Sequence, residues 1–271
     1  MTPSLLDCLR CKRPIYNGVT IETRLHGARI RRIVSTLCVA LLPATLDAQV
    51  AASAPEVRQI VTFLFQSGRS GDAAAIYERQ LRPIYTDVPA LRTFRAYREA
   101  ESPEPLDLVV VSSYNGMAGM DSANAALRKP SATGQSAFAL YGTLGTMTQT
   151  HHDQFIEMRP AMSDSANSSA TLTVFEYIRV SPGMHAEFER RLRTLVRASE
   201  RQAHLYDWAE TGRVLVGDGW DYVRIFGIRS LADWHRYQRF AHGAVMQAQF
   251  ARTVAARKTI ILRLDPKLSV R

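Results

Sequence analysis

The chain has 271 residues, 46% hydrophobic and 22% charged, the balance of a folded globular protein of one large or two ordinary domains; a disordered polymer is excluded. Its formal charge is +9, but seven Lys/Arg against three acids fall in residues 1–48, and the rest carries 27 basic against 22 acidic residues. An excess of about five over so long a stretch does not make a nucleic-acid surface.

In chain order, the first feature is a basic cluster, Arg29-Ile-Arg-Arg32, followed by an apolar run, Ile33–Leu42, and a small-residue exit ending at Ala48. That order is the pattern of a secretory signal peptide, and the run is about half the length a bilayer span needs. Cleavage is expected at Ala48–Gln49, with a buried helix or uncleaved anchor as the competing reading. Residues before Arg29 form an over-long extension, with Val19 or Leu25 as alternative starts. Cys8, Cys11 and Cys38 all precede the cut, so the mature chain has no thiol to mispair in an oxidising compartment. The expectation is a secreted or periplasmic protein with no stable membrane association.

After Gln49 the elements come in a repeated order. Strand Val57–Phe65 leads to a helix from Asp72, its expected N-cap, to Tyr85. Alternation at Leu91–Arg98 and the β-branched run Leu106–Tyr114 predict two strands. Helical stretches follow at Asp121–Arg128 and Ser136–Thr148, then a closing strand at Phe155–Met158. A small polar segment, Ser163–Ser169, reads as a linker. Beyond it come strand Thr171–Val180, a helix opened by Pro182-Gly183 and running to Gln202, and strands His204–Glu210 and Tyr222–Ile228 around the turn Val216–Trp220. Ser230-Leu-Ala-Asp233 opens another helix as a near capping box. His242–Ala256 continues helically, and Lys258–Leu264 is the last strand. The basic run Arg190, Arg191, Arg193 and Arg197, interleaved with Glu187, Glu189 and Glu200, reads as a salt-bridged helix face.

Two segments superpose: Tyr77–Arg82 over Phe188–Arg193, a step of 111 residues that also sets Thr62 on Thr173, and Met158–Ser163 over Leu264–Ser269, a step of 106. The reading is therefore α+β: a first repeat at 49–163, a linker at 164–170 and a second repeat at 171–271. Each repeat is an antiparallel sheet with helices on its outer face, so its other face needs a partner.

No nucleophile elbow, P-loop, dinucleotide fingerprint or zincin motif occurs. Candidate pocket residues are therefore aromatics and histidines. His204, Tyr206 and Trp208 alternate on a predicted strand and would share a face. His235 and His242 lie seven apart beside Trp234, where they could ligate haem iron. Tyr177 and Tyr222, with Tyr97 and Tyr114, sit on predicted strands. His151 and His152 read as a polar loop, and Asp218-Gly219 as turn chemistry. No metal site is expected.

The repeated element order, the Pro182-Gly183 opening and strand Tyr222–Ile228 running into Ser230–Trp234 resemble the dimeric α+β barrel superfamily of ferredoxin-like units. Within it the resemblance is particularly to NIPSNAP-like and antibiotic-biosynthesis-monooxygenase-like domains. The resemblance implies two sheets packed face to face around a pocket that holds polycyclic substrates or haem in different members. Here the tandem copies would form an intramolecular barrel, as a monomer with an internal pseudo-dimer or as a homodimer. The expected function is binding of a small apolar or aromatic ligand between the sheets. The alternatives are cofactor-independent monooxygenation, haem binding and an assembly role. The second half, richer in His and Trp, is where the site is expected.

Overall fold

The computed structural model describes residues 54–270, except 133, 165–169, 197, 199, 201 and 202. The segment read as a signal peptide and the cysteines lie outside them. Strand β1 (Val57–Phe65) is followed by α1 (Ser70–Ile76), which runs through a π-helical turn at Tyr77–Leu81 into α2 (Arg82–Thr86). Next come β2 (Leu91–Glu101), β3 (Leu108–Tyr114), α3 (Gly116–Leu127), α4 (Ala137–Gly145) and β4 (Thr148–Met158). A second passage through the same order gives β5 (Leu172–Val180), α5 (His185–Arg191) with a π-helical turn at Leu192–Val196, β6 (Trp208–Val216), β7 (Tyr222–Ile228), α6 (Leu231–Ala241), α7 (Ala244–Phe250) and β8 (Val254–Leu264).

All eight strands pair antiparallel in one closed barrel, in the order β1-β3-β2-β8-β5-β7-β6-β4. The strands of each passage are neighbours, and the two groups fuse at their edges. Tyr97 pairs with Leu264 where β2 meets β8, and Met158 with Gly212 where β4 meets β6. The expected face-to-face packing of two sheets is thus corrected to edge-to-edge closure. Closure also removes the unpaired edges that open sheets must protect.

Alternation sorts the side chains. One set points into the barrel and forms a core of Ile60, Val109, Val111, Ile156, Phe175, Val223, Ile225, Ile260 and Leu262. The other set meets the helices. Around β1–β4 that layer is aliphatic and aromatic, built from residues such as Leu81, Tyr85, Phe94, Val110 and Leu140. Around β5–β8 it divides into a group on Phe188 and Tyr222 and another on Phe226, Trp234 and Tyr237. Burying one such side chain contributes about 1.5–3 kcal/mol, so three layers rather than one sheet face sustain the fold.

Several element boundaries depart from the sequence reading. The first helix begins at Ser70, and Asp72 pairs with Arg69 at 3.3 Å instead of capping. Strand β4 starts at Thr148, so His151 and His152 lie in a strand and not in a loop. The helix after His242 stops at Phe250, and β8 begins four residues before the expected Lys258. By contrast, Ser230 caps α6 through its hydroxyl, which accepts the Asp233 amide at 3.2 Å. No helix among the described residues is long and apolar enough to cross a membrane.

Candidate functional site

Pairing fixes which strand ends share a barrel mouth. Val57 and Leu91 both stand across from Tyr114, and Trp208 across from Gly227. At that mouth β1, β2 and β6 begin and β3 and β7 end, and the inward residues are polar where the barrel's middle is apolar. They line an open recess with a cavity volume of about 100 Å³. Its polar wall is Glu56, Arg58, Arg92, Thr93, Arg95, Ser113 and Glu210; its apolar wall is Tyr97, Val111, Phe175, Trp208 and Ile225.

Arg58 dominates the polar wall. Its guanidinium forks onto Glu210, with Nη1 to Oε2 at 2.6 Å and Nη2 to Oε1 at 3.0 Å, reaching across β4 from β1 to β6. Its Nε donates to Glu56 at 2.6 Å, and Arg92 approaches the other Glu56 oxygen at 3.1 Å. Burial works against the Arg58 charge, but the two carboxylates outweigh it and hold the guanidinium above its ordinary range. Burial alone would push the Glu210 carboxyl up; the Arg58 fork, helped by the charge of Arg95, holds it below the usual carboxylate range. Glu210 is therefore ionised at neutral pH. Burial pushes the Tyr97 phenol up, with the Arg95 charge and hydrogen bond pulling the other way. Thr93 and Ser113 hydrogen-bond hydroxyl to hydroxyl at 2.6 Å.

The aromatic wall depends on a missing side chain. Trp208 lies across from Gly227, and a Cβ on Gly227 would fall 2.2 Å from the indole Nε1 and 2.6 Å from Ala170 Cβ. Only glycine lets the ring lie over the β7 backbone. Phe175 meets Tyr97 edge-on, centroids 5.6 Å apart at 76°, closing the floor of the recess.

The sequence-derived candidates scatter over this frame. Trp208 lines the recess, and Tyr177 is buried in the barrel 6.1 Å from the Trp220 ring. Tyr206 packs on the helix side, so it does not share a face with Trp208; β6 begins only at Trp208, and His204 is an exposed turn residue with φ 50°. Tyr222 and Trp234 are buried between sheet and helices, and the Tyr222 hydroxyl donates to Glu189 at 2.8 Å. His235 and His242 are exposed on α6 and at its C-cap. His151 and His152 diverge as adjacent strand residues must, one stacking on Phe63 and the other meeting Asp218 at 3.1 Å. No described histidine lines the recess, so an axial histidine for haem there does not fit these residues. Among the described residues no group of three His, Cys, Asp or Glu is placed to hold a metal ion.

A second charged cluster lies behind the sheet. Arg224, 3% exposed, donates to Glu200 at 2.7 and 3.1 Å, to Glu176 at 3.4 Å and to the Tyr237 hydroxyl at 3.0 Å. Glu200, grouped from its sequence with the solvated basic run, is instead 1% exposed here. Arg190 and Arg191 pair with Glu187 and Arg193 lies near Glu189, as expected, while Arg197 lies outside the described residues.

No family model matches the sequence, and no curated protein matches it. Solved structures do. A proposed monooxygenase from Lactobacillus acidophilus superposes at a TM-score of 0.56 with 8% identity, over 80% of this chain and 98% of the other. An anthrone oxidase-like protein gives 0.51 and 11%, over 79% and 92%. Chlorite dismutase from Candidatus Nitrospira defluvii in complex with imidazole gives 0.54 and 11%, over 78% and 92%.

The likeness is one of fold. These structures are α+β barrels of the kind the sequence resembles, and at such identities no residue role is transferred.

Proposed function

We propose that the protein is a monooxygenase-type oxidoreductase acting on a small aromatic substrate at the barrel mouth. The observation that carries the reading is the composition of the recess: an ionised carboxylate, Glu210, faces guanidinium groups beside the flat walls of Trp208 and Phe175. The fold shared with monooxygenase-like and anthrone oxidase-like proteins supports it. An electron-rich aromatic with an acidic C–H loses that proton to Glu210, and Arg58 beside it stabilises the anion. The anion supplies the electrons that reduce dioxygen. A CH2 group plus O2 becomes a carbonyl plus water, one oxygen atom kept and the other leaving as water. Every group in this account belongs to the chain or to its two substrates, and no step passes through haem. The test is oxygen uptake with anthrones. The wild type consumes oxygen in step with product, and Glu210→Gln, isosteric but unable to take the proton, is slower by about 100-fold or more. Binding without oxygen uptake would leave a carrier of small aromatic ligands in place of an enzyme.

We also propose that the two halves of the barrel are diverged copies. Support comes from contacts made twice. The Ser163 hydroxyl accepts the Thr211 amide, and the Ser269 hydroxyl accepts the Ala96 amide. Asp164 bridges Ala209, and Val270 bridges Phe94. The π-helical turns start at Tyr77 and Leu192, a step of 115, as do β1 and β5 at Val57 and Leu172. Export with cleavage after Ala48 is proposed from the N-terminal sequence alone. Edman sequencing of the mature protein should begin at Gln49; a chain retaining Arg29–Leu42 would overturn it.

A further inference from the structure

Resting on that reading of the recess, we infer that the substrate is an aromatic acid, its carboxylate held by Arg95 and Tyr97 at the mouth and its ring laid against Trp208. The argument begins with charge. Three guanidinium groups, Arg58, Arg92 and Arg95, line the recess with two carboxylates, Glu56 and Glu210. Arg58 takes both oxygens of Glu210 and one of Glu56, and Arg92 takes the other. Among the described residues Arg95 makes no ion pair within 4.0 Å, and three guanidinium groups against two carboxylates leave the mouth one positive charge in excess, the complement of a monoanion. The Tyr97 hydroxyl lies near Arg95 in the same recess and offers its phenolic proton to a ligand oxygen. A planar guanidinium and a hydroxyl donor together suit a carboxylate, which accepts two parallel hydrogen bonds.

Geometry gives the ligand an orientation. Arg95 stands across from Val111 in the β2–β3 pairing, and Glu210 holds the matching place across from Ile225 in β6–β7. The next inward positions toward the mouth pair Thr93 with Ser113 on one side and Trp208 with Gly227 on the other. The recess therefore has a cationic, hydroxyl-rich wall from the first half and an anionic, aromatic wall from the second. An aromatic acid entering it turns its carboxylate toward Arg95 and away from Glu210. That leaves the opposite end of the ring system near Glu210, where the proposed proton removal takes place.

Calorimetric titration with 4-hydroxybenzoate and with 4-hydroxybenzamide tests this. The acid binds about tenfold or more tightly than the amide, since a charge-assisted pair replaces a neutral one. In Arg95→Gln the two ligands bind equally. Arg95→Lys keeps part of the preference, and Arg263→Gln, at an exposed position on β8 outside the recess, keeps all of it. Thermal melts matching the wild type establish that the variants are folded. Equal binding of acid and amide by the wild type, a preference that survives in Arg95→Gln, or binding of neither ligand would overturn the inference. Its failure is distinguishable from failure of the oxidation itself. Glu210-dependent oxygen uptake with a neutral anthrone but no acid preference removes only the carboxylate. Acid preference without oxygen uptake by any aromatic removes only the oxidation.

Discussion

Trp208 and Gly227 show how one residue's chemistry depends on its neighbour's absence. The indole can line the recess because nothing projects from Gly227 beneath it. Gly227→Ala should force the ring outward and cost about 1–3 kcal/mol, read from urea denaturation, with a shifted tryptophan emission maximum. Arg224 poses the opposite problem, a charge kept dry by partners. Replacing it with Met leaves Glu200 buried without its cation and Glu176 with Arg257 alone at 3.4 Å, and should cost about 3–5 kcal/mol near pH 8. The sign with pH follows from Glu200, whose carboxyl burial already pushes up despite Arg224. In the variant that group is more stable protonated in the fold, and unfolding lets it ionise. The loss should shrink as pH falls through its native pKa toward the unfolded carboxylate range, seen as converging denaturation midpoints at pH 5. Trp208 was picked out in the sequence as a pocket residue, but its dependence on Gly227 and the two charged clusters were not legible there. Arg58 and Glu210 are 152 residues apart, and Arg224 sits in a strand that reads as a plain apolar run.

At the scale of elements, the order and type of strands and helices were legible and their register was not. Strand Tyr222–Ile228 and the cap at Ser230 stood as read, because a β-branched run and a hydroxyl three residues before an acid are local signals. Ser230→Ala should lower stability by about 1 kcal/mol, measurable by chemical denaturation. The superposition of Tyr77 on Phe188 differs from the structural correspondence of Tyr77 with Leu192 by four residues. Four is close to one helical turn and an even step along a strand, so both registers leave every side chain on its own face. Only the repeated π-helical turns and hydroxyl contacts tell them apart. The strand reading of His204–Glu210 failed for a related reason, since alternation cannot show that pairing starts only at Trp208.

For the molecule as a whole, closure decides where a site can be. The doubled element order resembled a barrel superfamily, and the solved structures share that fold. The second half, with most of the histidines and tryptophans, was where the site was sought. The recess draws instead on both halves, cations from the first and carboxylate with indole from the second, because edge-to-edge fusion brings the two sets to one mouth. Every described histidine is at least partly exposed, and none lines the recess. The central claim is that this mouth oxidises an aromatic with dioxygen itself. It is tested most directly by turnover of an anthrone-type substrate under ¹⁸O₂ with mass analysis of the product. The account predicts one labelled oxygen in the new carbonyl and loss of labelled product in Glu210→Gln. An unlabelled carbonyl, or labelled product formed equally by Glu210→Gln, would contradict it.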